Sequence, residues 1–215
     1  MTRLLILDCD GVLVDSEGPA NRVLVEMMRE VGLDMSLDES MDLFRGRTMQ
    51  MCWEIIEERL GRALPADFEA EFDRRERAVL GAGDIAMPGI HAALDGVDAL
   101  GLATCVASSG STAKMRVTLG GAGLWDRFEG RIYSAVEHVS RGKPHPDVFE
   151  YAARVQGVSP PDCVVVEDSP LGVEAGRAAG MRVLGFAREV PAEDLRAAGA
   201  DVFFAHEELP DLLQG

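Results

Sequence analysis

The period of the apolar positions changes along the chain, and those changes divide it. Leu4-Leu5-Ile6-Leu7 is an unbroken aliphatic run that stops at Asp8-Cys9-Asp10-Gly11. A short apolar run closed by a turn residue predicts a strand buried on both faces, as in a parallel sheet. Alternate residues of a strand share a face, so Asp8 and Asp10 are expected on one side and Cys9 on the other. Over 19–31 the spacing turns helical, with Val23, Leu24, Met27, Met28 and Val31 on one stripe and Gly32 as the stop. Further stripes predict helices over 37–44, 49–60 and 65–80, closed by Gly81-Ala82-Gly83.

Beyond Pro88 the two periods alternate. Helices are expected over 91–100, 112–119, 146–155, 171–179, 192–198 and 207–213, and strands over 103–107, 132–134, 164–166, 182–186 and 202–204. Alternating strands and helices predict an α/β fold, a doubly wound parallel sheet with right-handed crossovers. The all-helical stretch then becomes an insertion after the first strand. The expected division is a core of residues 1–15 and 84–215 and a helical domain of residues 16–83.

Composition narrows the function classes. The chain has 215 residues, 47% hydrophobic and 27% charged, which suits one large domain or a core with a smaller lobe. No apolar run approaches the ~20 residues of a membrane helix. A single Arg and a very short apolar run precede Asp8, so no signal peptide is read and the cytoplasm is the expected compartment. Cys9, Cys52, Cys105 and Cys163 show no paired spacing and the four histidines are scattered, which predicts buried reduced thiols and no zinc site. A net charge of −16 argues against a nucleic-acid or anionic-membrane partner. It leaves room for a small anionic substrate beside a bound cation. A monomer is the default.

Three further stretches join the first as candidate chemistry. Ser108 and Ser109 follow a predicted strand and open a helix, offering a hydroxyl and backbone N–H groups to an anion. Lys143 stands in Arg141-Gly142-Lys143-Pro144-His145-Pro146, a turn stiffened by two prolines. Glu167 and Asp168 follow Val164-Val165-Val166, with Ser169-Pro170 in cap and first-turn positions. Taken singly each has a plainer account: an N-cap, a surface turn, or an acid favoured by a helix dipole. Together they say more. Two like charges ~4 Å apart repel by roughly 4 kcal/mol at an effective dielectric near 20. If the sheet gathers Asp8, Asp10, Glu167 and Asp168 in one cleft, a cation is needed, and carboxylate oxygens suit Mg²⁺. Lys143 and Ser108 would serve the remaining oxygens of a phosphate.

Asp8-Cys9-Asp10-Gly11-Val12-Leu13-Val14-Asp15, Ser108, Lys143-Pro144 and Glu167-Asp168-Ser169-Pro170-Leu171-Gly172 occur in that order. In this order they resemble the four signature motifs of the haloacid dehalogenase superfamily, in its branch of phosphatases and β-phosphoglucomutase-like enzymes. The resemblance spans the chain and implies a Rossmann-like core with an inserted helical cap. It implies that Asp8 is the nucleophile, forming an aspartyl-phosphate, and that Asp10 is the general acid and then the base. It implies that Ser108, the backbone N–H of Ser109 and Lys143 bind phosphate. Mg²⁺ would be held by Asp8, the carbonyl of Asp10 and Asp168, with Glu167 in or near that shell. In the cap it points to Glu17, Arg45, Arg47 and Thr48 as substrate contacts.

Asp10 argues against a dehalogenase, since a halide leaves without a proton. A phosphosugar mutase is the rival reading, although a mutase histidine and arginine would fall on Ala20 and Met49 in this chain. A binding module without turnover is the third. The expected substrate is a small phosphorylated metabolite, with sugar phosphates, phosphoglycolate and 6-phosphogluconate left open. Trp53, at helical spacing from Met49 and Ile56, is expected in the core of the helical domain.

Overall fold

The computed structural model describes residues 2–44, 49–83 and 85–214. In chain order the elements are β1 (Leu4–Leu7), α1 (Glu17–Glu30), α2 (Leu37–Phe44), α3 (Met49–Leu60), α4 (Phe68–Ala82), α5 (Ile90–Ala99), β2 (Ala103–Ser108), α6 (Thr112–Gly121), α7 (Trp125–Phe128), β3 (Ile132–Ser134) and α8 (Ala135–His138). They continue as α9 (Asp147–Gln156), β4 (Cys163–Glu167), α10 (Pro170–Ala178), β5 (Arg182–Phe186), α11 (Ala192–Ala198), β6 (Asp201–Phe203) and α12 (Leu209–Gln214).

The six strands form one sheet in the order β3-β2-β1-β4-β5-β6, and every pairing is parallel. β1 lies between β2 and β4, with Leu4 beside Ala103 and Cys163 and Leu7 beside Val106 and Val166. All four of its side chains are fully buried. Their burial contributes roughly 6–12 kcal/mol in gross terms, at about 1.5–3 kcal/mol each. On one face Leu4, Ile6, Cys105, Ala107, Cys163 and Val165 pack with Val148, Phe149, Ala152, Val173 and Leu195 from α9, α10 and α11. The chain leaves β1 for β2 on one side and reaches β4 on the other, so the strand order reverses there. Such switch points leave a crevice at the carboxyl ends of the strands.

The chain forms two compact units, residues 1–15 with 84–215 and residues 16–83. The second consists of α1 to α4 around Val23, Leu24, Met27, Met28, Phe44, Cys52, Trp53, Ile56, Phe68 and Phe72. Trp53 is part of that core, edge-on to Phe68 and Phe72 with ring centroids 5.5 and 5.4 Å away. Among the described residues no helix is long and apolar enough to cross a membrane. The four cysteines are buried and unbridged.

Several boundaries differ from the sequence reading for local reasons. The helix expected over 65–80 starts at Phe68, after a turn in which the Phe68 N–H donates to the Pro65 carbonyl at 3.0 Å. The last helix begins at Leu209, because His206–Glu208 forms a tighter 3₁₀ turn first. α7 and α8 are four residues each, too short for a periodic pattern to register. β1 ends at Leu7, so Asp10 is placed by a turn rather than by strand alternation. Gly11 bends the chain there at φ +80°, and the Leu13 and Val14 N–H groups both donate to the Cys9 carbonyl, at 2.9 and 3.1 Å.

Candidate active site at the strand ends

The aspartate after β1 keeps one tie to the sheet, since the Asp8 N–H donates to the Val166 carbonyl at 3.0 Å. That bond sets the first carboxylate beside the end of β4, where Glu167 and Asp168 emerge. Carboxylate oxygens of Asp8, Glu167 and Asp168 lie within 4.8 Å of one another. Gly11 makes the approach possible. A Cβ at Gly11 would stand 1.8 Å from Asp168 Oδ2, so the first turn and the β4 turn meet where no side chain fits.

Lys143 ties the group together. Its Nζ donates to Asp8 Oδ1 and to Glu167 Oε1, each at 2.5 Å, and to the Ala107 carbonyl at 3.4 Å. The ammonium lies 4.9 Å from the centre of the Phe149 ring, and the Lys143–Pro144 peptide is cis. All three charged side chains are at least nine-tenths buried. The other Glu167 oxygen, Oε2, accepts from the Asp168 N–H, the Ser169 N–H and the Ser169 hydroxyl at 2.9–3.1 Å. Gly172 gives this carboxylate its room, because a Cβ there would lie 1.9 Å from Glu167 Cδ.

Burial pushes the Asp8 carboxyl up to about 7; Lys143 opposes that rise, while Glu167 and Asp10 add to it. For Lys143 burial alone would lower the pKa, but Asp8 and Glu167 outweigh it and hold the ammonium charged. A divalent cation beside Asp8 would favour its ionised form. The donor set suits a hard cation: carboxylate oxygens with no thiolate or imidazole among them. Asp8, Glu167 and Asp168 each offer a carboxylate oxygen to such a cation. Of the two Glu167 oxygens, Oε2 already accepts three bonds and Oε1 only the one from Lys143. Cys9, between the two aspartates, is no nucleophile, since burial raises its thiol pKa well above the ordinary range.

Ser108 ends β2 and is buried, and its Oγ accepts from the Gly110 N–H at 3.1 Å. Ser109 is exposed. Asp10 is partly exposed at the rim, with Lys114 Nζ 3.3 Å from its Oδ2. The fold thus gathers Asp8, Asp10, Ser108, Ser109, Lys143, Glu167 and Asp168 from the ends of β1, β2 and β4 and the loop before α9. Glu17 is exposed at the start of α1 in the helical unit. Arg45, Arg47 and Thr48 lie outside the described residues. His145 is exposed.

The sequence reading missed Lys114. It is the third residue of α6, behind the N-cap Ser111, whose Oγ accepts from the Lys114 N–H at 3.2 Å. Two signals marked it: Lys114 and Lys143 are the only lysines of the sequence among 21 Lys and Arg residues, and a cation in the first turn opposes the helix dipole by about 0.3–1 kcal/mol.

Comparison with known proteins agrees with this architecture. The family profile of haloacid dehalogenase-like hydrolases matches residues 2–180. The chain is 29% identical to 6-phosphogluconate phosphatase of Escherichia coli K12 over 218 residues, covering 97% of this chain and 93% of that protein. It is 34% identical to hexitol phosphatase A of the same organism over 199 residues, covering 92% and 88%. The crystal structure of a HAD-family hydrolase from Deinococcus radiodurans R1, with bound phosphate and sodium, superposes with a TM-score of 0.83 at 31% identity, covering 97% of this chain and 93% of that one.

Proposed function

Because the chain belongs to the haloacid dehalogenase-like hydrolase family, we propose that it is a Mg²⁺-dependent phosphatase acting on a small phosphorylated metabolite through an aspartyl-phosphate. The observation that carries this reading is the buried Asp8–Lys143–Glu167 chain at the point where the strand order reverses. A nucleophilic carboxylate splits one hard displacement into two easier ones. A buried lysine beside it supplies fixed positive charge where a phosphoryl group must sit.

In the first step an Asp8 oxygen attacks phosphorus and the P–O bond to the alcohol breaks. Its electron pair stays on the departing oxygen, which takes a proton from the Asp10 carboxyl. In the second step a water oxygen attacks phosphorus while the Asp10 carboxylate takes the water's proton. The P–O bond to Asp8 then breaks, releasing inorganic phosphate and restoring both aspartates. The Ser108 hydroxyl and Ser109 N–H hold phosphoryl oxygens, and Lys143 neutralises their charge. Asp8, the Asp10 carbonyl and Asp168 would hold Mg²⁺, which when bound would supply Lewis-acid neutralisation of the phosphoryl oxygens. Glu167, in or near that shell, also fixes Lys143.

Residues 1–15 and 84–215 form the catalytic core in this reading, and residues 16–83 form the cap that selects substrate. Glu17, Arg45, Arg47 and Thr48 are its proposed contacts. The names of the two Escherichia coli relatives favour a sugar or polyol phosphate.

The test is phosphate release from a panel of sugar, polyol and short-chain phosphate esters, with and without Mg²⁺. Release that requires Mg²⁺ and disappears in Asp8→Asn is expected. Release from no ester under any metal, or a normal rate in Asp8→Asn, overturns the proposal. Isomerisation of β-glucose 1-phosphate faster than its hydrolysis would replace the phosphatase by a mutase.

A further inference from the structure

Lys114 stands where helix electrostatics disfavour a lysine, at the third position of α6, and its chain is pinned there by the Ser111 cap. Its ammonium is turned to Asp10, with Nζ 3.3 Å from Oδ2. A Cβ at Gly110 would lie 3.6 Å from Ser108 Oγ, 3.7 Å from Lys114 Cδ and 3.9 Å from Asp10 Oδ2, so these three groups border one space beside the glycine. Lys143, the other ammonium of the site, is already held by Asp8 and Glu167. Asp10 is partly exposed on a turn outside the six-stranded ladder, and the Lys114 contact bears directly on the carboxyl that must meet a departing oxygen in a fixed geometry.

We propose that Lys114 is the positioning residue for Asp10. By holding Oδ2 it fixes the rotamer from which Asp10 hands its proton to the departing alkoxide. This rests on the phosphatase reading above. The step it serves is the breaking of the P–O bond to the alcohol, in which the alcohol oxygen keeps the bonding pair and gains the Asp10 proton.

That step matters unequally for different esters. An alkyl alcohol is a poor leaving group and needs the proton, whereas p-nitrophenolate leaves readily without it. kcat/KM reports steps up to alcohol release, so comparing an alkyl ester with p-nitrophenyl phosphate isolates the proton transfer. General acid catalysis is worth about 10²–10⁴-fold, and misplacing the acid should forfeit a part of it. For Lys114→Met, kcat/KM for the alkyl ester that the wild type hydrolyses best should fall roughly 10–100-fold. The value for p-nitrophenyl phosphate should hold within about 3-fold, as should inhibition by inorganic phosphate. Lys114→Arg, which keeps the charge, should recover most of the alkyl rate.

An equal loss for both esters would make Lys114 a structural or phosphate-binding residue and overturn the proposal, as would no loss for either. Failure of the arginine variant to recover any alkyl rate would also count against it. Absence of wild-type turnover with every ester would sink the phosphatase reading and this inference together, whereas wild-type turnover with an unchanged alkyl-to-aryl ratio in Lys114→Met sinks the inference alone.

Discussion

Replacing Gly172 with alanine would drive one methyl group into the most constrained carboxylate of the site. The new Cβ would lie 1.9 Å from Glu167 Cδ and Oε1 and 2.2 Å from Oε2, well inside contact distance. Glu167 has little freedom to retreat. It is 1% exposed, and its oxygens accept from Lys143, Asp168, Ser169 N–H and Ser169 Oγ over 2.5–3.1 Å. Hydrogen bonds to a charged group are worth about 1.5–3 kcal/mol each, so losing two of the four costs about 3–6 kcal/mol. Alanine is a better helix former than glycine by at most ~1 kcal/mol, which offsets little. The net expectation is destabilisation by about 2–5 kcal/mol, a factor of roughly 30 to several thousand in the folding equilibrium. Gly120, also helical, lies in α6, and a Cβ added there would meet nothing within 4 Å. The same substitution at Gly120 should stabilise by about 0.4–1 kcal/mol. Urea unfolding with unchanged slopes would report both shifts as midpoints moving in opposite directions. Gly172→Ala as stable as the wild type, or both variants moving together, would refute the packing account of Glu167.

His206 and the metal site give two more expectations. His206 is fully buried, with Nδ1 3.1 Å from the Pro88 carbonyl and its ring 4.2 Å from that of Phe186, and burial lowers its pKa. The folded chain therefore keeps it neutral while the unfolded chain takes up a proton as pH falls through about 6.5, so stability is lost below that pH and not above it. The drop in urea midpoint between about pH 7 and 5.5 should be smaller in His206→Phe, and equal drops would refute the assignment. Mg²⁺ at 100 times its Kd should raise stability by about 2.7 kcal/mol, seen as a higher thermal midpoint reversed by EDTA. Asp168→Asn should lose that rise; an undiminished one would remove Asp168 from the metal set.

β1 and the centre of β4 are readable because each is an unbroken aliphatic run, which leaves strand burial on both faces as the simple outcome. The acidic and lysine residues stand out because they follow such runs or a proline-stiffened turn in a set order. Distance-dependent features are not readable. Gly11 is required by Asp168, and Gly172 by Glu167, through contacts that no local pattern announces. Lys114 is one of only two lysines in the sequence, but nothing local says that its ammonium turns to Asp10. Alternation assigns Asp10 to a strand face, but the glycine turn after it takes the chain out of the ladder. The engagement of both Glu167 oxygens by protein donors also escapes the sequence, because the Ser169 cap looks sufficient as a reason for the acid.

The sheet order has a consequence for biosynthesis. Leu4 pairs in register with Cys163, so one flank of β1 stays open until the ribosome has added about 160 residues, roughly 8–30 s at typical elongation rates. During that interval a wholly aliphatic strand has an unsatisfied edge, the kind of template on which nascent chains aggregate. Fragments stopped before Val164 would be trapped in that condition permanently, and chaperone engagement should peak on them and fall once β4 emerges.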